Sequence, residues 1–170
     1  MKQQQASVET FNVFENDLWA PYLAISALRS DMSGVQSPDE KSIHEVLNEY
    51  CYCYDAGHID RVLALFTDDA VISNATGIHR GTDEIRRNYI DFVAKRKFGF
   101  HFVTNVTVRL AESRLDAVST SYLVTLNVKN NGQLALVAGS YIDRFRKTAG
   151  TWKFSERRIT ADIRSTLDSD

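Results

Sequence analysis

The sequence predicts an α+β fold, with three helices packed in a strongly curved, mostly antiparallel sheet. From residue 38 to residue 93 the apolar positions recur at helical spacing, as in Ile43, Val46, Leu47, Tyr50, Cys51 and Tyr54. After Gly99 the period changes to two, over 99–110, 115–129, 133–147 and 151–160, in segments rich in Val, Thr, Phe and Tyr. Asn130-Asn131-Gly132 and Ala149-Gly150 supply the positive-φ residues of tight reversals between these segments. Helices first and a long meander afterwards place the helices on one face of a sheet that bends around them.

The elements follow in order. Residues 1–37 form a leader arm and linker, with an aromatic-rich stretch at Phe11, Phe14, Leu18, Trp19, Tyr22, Leu23 and Ile25 that is expected to pack on the body or on a neighbouring subunit. Ser37-Pro38-Asp39-Glu40 then combines an N-cap, a first-turn proline and first-turn acids. Gly57 ends that helix as the left-handed residue after the cap. A second helix is expected near Asp60, capped by its side chain, with Val62, Leu63, Leu65 and Phe66 inward. A strand at 70–73 leads into a turn from Gly77 to Gly81, and Thr82 caps a third helix that buries Ile85, Tyr89, Ile90 and Val93. The domain is expected to span 38–164, leaving 165–170 as a tail.

Composition narrows the function. At 170 residues, 44% hydrophobic and 25% charged, the chain suits one domain with an ordinary core. A net charge of -2 provides no field for a polyanion, which argues against nucleic acid as a partner. Arg86-Arg87 and Lys95-Arg96-Lys97 read as a solvated helix face and helix end. Cys51 and Cys53, two apart in a helix, point to different sides and read as free thiols. With no signal-like leader and no apolar stretch long enough for a membrane span, the expected compartment is the cytoplasm.

No phosphate loop, nucleophile elbow or metal-ligand motif is present. The candidates are polar residues where the pattern favours apolar ones. Asp55 sits in the last helical turn, where the dipole disfavours an acid; alone it reads as a surface acid or a cap. His101 lies on a strand with Val103, Asn105 and Thr107 on its own face and Phe100, Phe102, Val106, Val108 and Leu110 on the other. That mixed face suits a pocket wall, although a single strand histidine is as readily structural. Tyr50 and Tyr54 share a helix face and offer two phenols, or simply core. Arg157 alternates to the same side as Lys153, Ser155 and Ile159, as a rim ion pair or an anion clamp.

Two strings tie these positions together. Tyr50-Cys51-Tyr52-Cys53-Tyr54-Asp55-Ala56-Gly57-His58-Ile59-Asp60, continued by Leu65-Phe66-Thr67-Asp68-Asp69-Ala70, and the closing Gly139-Ser140-Tyr141 with Trp152-Lys153-Phe154-Ser155-Glu156-Arg157, resemble the SnoaL-like branch of the nuclear transport factor two-like superfamily over residues 38 to 164. The resemblance extends to scytalone dehydratase, bile-acid 7α-dehydratase and hexachlorocyclohexane dehydrochlorinase. It implies a cone-shaped α+β barrel and a cofactor-independent lyase of the dehydratase type, or an isomerase, acting on a small, largely apolar cyclic metabolite. It further implies Asp55 and His101 as the acid-base pair, Tyr50 and Tyr54 as phenol donors and Arg157 as the leaving-side cation, with Val103, Asn105, Ser121 and Tyr141 along the substrate. No metal and no cofactor are implied, and a homodimer or homotrimer is expected. A second histidine, which scytalone dehydratase carries on the next strand, has no counterpart among Ser119, Ser121, Tyr122, Thr125 and Asn127. A non-catalytic binding or assembly domain, or a hydrolase with an Asp-activated water, is the alternative.

Overall fold

The first helix starts where Ser37 places it. Ser37 Oγ accepts from the Glu40 amide at 3.2 Å and Glu40 Oε2 accepts from the Ser37 amide at 2.7 Å, a reciprocal capping box ahead of Pro38. A computed structural model describes residues 36–167; the leader expectations for 1–35 lie outside the described residues. Helix α1 (Pro38–Asp55) buries Ile43, Leu47, Tyr50, Cys53 and Tyr54. Each fully buried aliphatic side chain there contributes about 1.5–3 kcal/mol. Its end is a Schellman motif: the His58 amide donates to Cys53 O at 2.8 Å and the Gly57 amide to Tyr54 O at 3.0 Å, with Gly57 at φ +74°.

Helix α2 (Ile59–Ala64) and helix α3 (Gly81–Val93) start differently from expectation. His58 and Arg80 occupy their N-caps and neither makes a side-chain cap. Asp60 instead pairs with Arg86, and Glu84 reaches back to accept from the Arg80 amide at 2.8 Å. Ile90 faces outward; Asn88 takes the inward place beside Ile85 and Tyr89, bonded to Asn74 and Thr76.

The sheet has seven strands: β1 (Phe66–Asn74), β2 (Gly77–Arg80), β3 (Arg96–Leu110), β4 (Asp116–Lys129), β5 (Leu134–Thr148), β6 (Thr151–Ile159) and β7 (Ile163–Leu167). The order is β2-β1-β6-β5-β4-β3, antiparallel except for the β1–β6 pair. It is curved but open, a cone and not a closed barrel. Two strands differ from the sequence reading. The segment 77–80 is a strand hairpinned on β1, and β7 crosses from the expected domain end at 164 into the expected tail, pairing with residues 134–138 of β5 while β6 pairs with 141–148.

Two bulges decide which side chains face the helices. On β3 the register passes from Thr104↔Tyr122 to Thr107↔Thr120, so Asn105 and Val106 stand opposite Ser121 alone. Asn105 takes the left-handed conformation, φ +54°, which asparagine tolerates better than most residues. After this extra residue Val106, Val108 and Leu110 join His101 and Val103 on the inner face, where strict alternation had separated them. On β6 the register passes from Phe145↔Phe154 to Arg144↔Glu156, leaving Ser155 extra. Phe154 and Arg157 therefore both face the core, 0% exposed.

Candidate functional site

The motif that ends α1 leaves Asp55 as its last residue, facing β3 across a short gap. Its carboxylate meets His101 twice: Oδ1 lies 2.6 Å from the ring Nδ1, and Oδ2 accepts from the His101 backbone amide at 2.8 Å. A carboxylate can only accept, so Nδ1 carries the hydrogen and, in the neutral ring, Nε2 carries the lone pair. Tyr54 stands edge-on to the imidazole, centroids 5.0 Å apart, and limits its rotation. The expected pair is thus assembled by a helix end and a strand 46 residues apart in sequence.

Arg96 completes the cluster. Its side chain, 7% exposed, donates to Tyr54 O at 2.6 Å and to Asn127 Oδ1 at 3.0 Å, lies 3.5 Å from Asp55 Oδ1 and covers the Tyr54 ring. The sequence reading of Lys95-Arg96-Lys97 as a solvated helix end is corrected for Arg96, which opens β3 and turns inward. Gly99 makes the space: a Cβ there would collide with Asn127 Oδ1 and Arg96 Nη1. A glycine inside an aromatic, β-branched strand was the available signal for this close approach. Burial raises the Asp55 carboxyl, but the hydrogen bonds and charge of His101, with the charge of Arg96, hold it below the ordinary carboxylate range.

His101 opens into a cavity of about 220 Å³ between α1, α3 and the inner sheet face. Tyr50, Tyr54, Tyr89 and Tyr141 line it, with Asn127 and Arg164 among its polar members. Tyr50 and Tyr54 stack at 5.7 Å, as their shared helix face predicts, and the Tyr50 hydroxyl donates to that of Tyr89 at 3.1 Å. Burial pushes all four phenols above their ordinary range, so at neutral pH they remain protonated donors. A larger hollow of about 460 Å³, around Thr104, Tyr122, Val124 and Ile163, opens on the other face of the sheet and contains neither Asp55 nor His101.

The remaining expected site residues divide. Tyr141 lines the cavity. Val103 faces inward but packs against the core without lining it. Asn105, on the bulge, lines the outer hollow, and Ser121 is buried opposite it. Arg157 does not reach the cavity: the β6 bulge turns it into the core, where Nε and Nη2 each donate to Asp143 at 2.8 Å. Its guanidinium lies 4.0 to 4.2 Å from the ring centroids of Tyr50, Tyr141 and Phe154. Arg157, Asp143, Arg96, Asn127, Tyr89 and Arg164 are residues whose places the sequence reading misassigned or missed. Among the described residues no group of three or more His, Cys, Asp or Glu is placed to hold a metal ion, and no helix is long and apolar enough to cross a membrane.

Comparison with known proteins follows the same lines. No curated protein matches the chain. Among solved structures, a proposed aromatic ring hydroxylase from Novosphingobium aromaticivorans is 26% identical, with TM-score 0.71, covering 78% of this chain and 96% of its own. A proposed scytalone dehydratase from the same organism is 20% identical, TM-score 0.70, covering 76% and 88%. A hexachlorocyclohexane dehydrochlorinase of the LinA type from Novosphingobium barchaimii is 18% identical, TM-score 0.68, covering 75% and 88%. The last two show a shared fold. The model of the SnoaL-like domain matches residues 35–158, the stretch that carries the α1 terminus, the histidine strand and the closing hairpin, and the chain belongs to the SnoaL-like domain family.

Proposed function

We propose that the chain is a cofactor-independent lyase or isomerase that moves a proton on a small, largely apolar cyclic molecule. The observation that carries this reading is the two-point hold of Asp55 on His101, which commits Nδ1 to the carboxylate and leaves Nε2 as the basic position of the neutral ring in a cavity-lining histidine. His101 Nε2 takes a proton from a carbon made acidic by a neighbouring carbonyl or leaving group; Asp55 stabilises the resulting imidazolium. The C–H electron pair then forms the new double bond. In an elimination the leaving group departs with its own pair, and in an isomerisation His101 returns the proton to another carbon. Phenol donors in the cavity hydrogen-bond the developing oxyanion or departing oxygen in surroundings poor in water, where such bonds count for more. Arg96 and Asn127 act as positioning residues, holding the end of α1 against β3 and fixing the charge of Asp55. An Asp-activated water is less well supported, because both carboxylate oxygens of Asp55 are engaged by His101.

The test uses base-catalysed ring opening of 5-nitrobenzisoxazole, a probe that needs only a general base in an apolar pocket. His101→Ala is expected to lower turnover by roughly 10²–10⁴-fold while the circular-dichroism melt stays close to wild type. A variant as active as wild type sinks the assignment of His101 as the base.

A further inference from the structure

Arg164 lies six residues beyond the end of the family match, at the expected end of the domain, on a short strand that runs on into the expected tail. The register places it with care. His101 pairs with Thr125, Thr125 with Val137, and Val137 with Arg164, so the four stand in one row across β3, β4, β5 and β7. Residues directly opposite one another share a sheet face, and all four line the same cavity. Three strand spacings separate His101 from Arg164, roughly 14 Å between Cα atoms. Both residues line the cavity, His101 within it and Arg164 at its exposed rim, a separation that suits a small ring system between the imidazole and the guanidinium.

Arg164 is the one Lys or Arg lining this cavity among the described residues, and it forms no ion pair or hydrogen bond with them. The other two arginines near the site are engaged, Arg96 by Asp55, Tyr54 O and Asn127, and Arg157 by Asp143. A planar fork at one end of a cavity walled by tyrosines, Leu123, Val137 and Ile159 complements a molecule with an apolar body and one carboxylate.

We infer that the site takes a small cyclic carboxylic acid, with Arg164 clasping the carboxylate and the carbon that loses its proton lying at His101. The second half of this statement rests on the function proposed above; the first does not. Arg164 sets specificity by holding the substrate's charged end, and it makes β7 part of the site although β7 lies outside the matched domain.

Titration calorimetry with matched probes tests it, using benzoate against benzamide and 2-naphthoate against 2-naphthamide. Wild type is expected to bind at least one carboxylate roughly tenfold or more tightly than its amide. Arg164→Gln should abolish that preference and leave amide affinity within about twofold, Arg164→Lys should keep part of it, and a thermal melt should find both variants folded. His101→Ala should keep the preference, because the clamp does not use the base. Equal affinity for acid and amide, a preference that survives Arg164→Gln, or failure of both carboxylates to bind would each overturn the inference. A wild-type protein that turns over 5-nitrobenzisoxazole but shows no preference for either carboxylate would strike this inference alone; retained turnover in His101→Ala would strike the proposed function alone.

Discussion

Asp143 and Asp55 are each approached by an arginine, and their surroundings give them opposite duties. Asp143 spends both oxygens on the fork of Arg157, and the pair is 0% exposed beneath the rings of Tyr50, Tyr141 and Phe154. Burial opposes the charge on Arg157, but the carboxylate of Asp143 outweighs it and holds the guanidinium protonated. Asp55 divides its oxygens between a ring nitrogen and a backbone amide of one histidine, takes only a longer contact from Arg96, and stands beside an open cavity. A sealed bidentate pair leaves little to react; a carboxylate bonded to a titratable ring at a cavity can assist proton transfer.

Each side of that contrast can be broken. Arg157→Met leaves Asp143 buried without a countercharge, which should cost about 3–5 kcal/mol of unfolding free energy in a urea titration. A stable Arg157→Met that loses turnover would mean the arginine serves chemistry, not the fold. Asp55→Asn should lower 5-nitrobenzisoxazole turnover by about 10²-fold with a much smaller change in stability.

Acid sharpens the same comparison. Because the folded Asp55 carboxyl lies below its ordinary value, its contribution to stability is present above about pH 4 and is lost as pH falls through that lower folded value. The stability gap between wild type and Asp55→Asn should therefore be largest at neutral pH and narrow below about pH 4, as read from melts across the range. A gap that widens in acid would contradict the ion-paired state.

Smaller effects test the supports. Arg96→Gln removes the charge and the Nη donors that reach Tyr54 O and Asn127, and turnover should fall about tenfold, a cost near 1.4 kcal/mol. Gly99→Ala should act in the same direction, since the neighbours its Cβ would displace are the mobile ends of Asn127 and Arg96. Asn105→Val, a β-branched residue at φ +54°, should cost about 1 kcal/mol of stability, whereas Asn105→Gly should be close to neutral in the same melt.

Much of the scaffold was legible from local signals. The capping box at Ser37, the left-handed Gly57 and the Ala149-Gly150 turn are short-range devices in which neighbouring residues satisfy each other. The face shared by Tyr50 and Tyr54 follows from helical period alone. Face assignment failed on the strands, and it failed at bulges: one extra residue at 105–106 and one at 155 inverted the alternation read for Val106, Val108, Leu110 and Arg157. Neither bulge leaves a period of its own, and β2 and β7 are too short to show one.

The order of the three helices and the five longer strands, the hairpins of the long meander and the candidacy of Asp55 and His101 thus follow from the sequence by itself, because they depend on period, caps and a pair of strings that one family shares. The tertiary structure alone decided which arginine meets which acid. Arg96, Arg157 and Arg164 are alike in the chain, and only the register of the ladders, shifted beside Arg96 at residue 97, beside Arg157 at residue 155, and closed by the return of β7 to β5, sends one to Asp55, one into a sealed core pair and one to the cavity wall. Those placements depend on long-range pairing, in which a shift of one residue exchanges inside for outside.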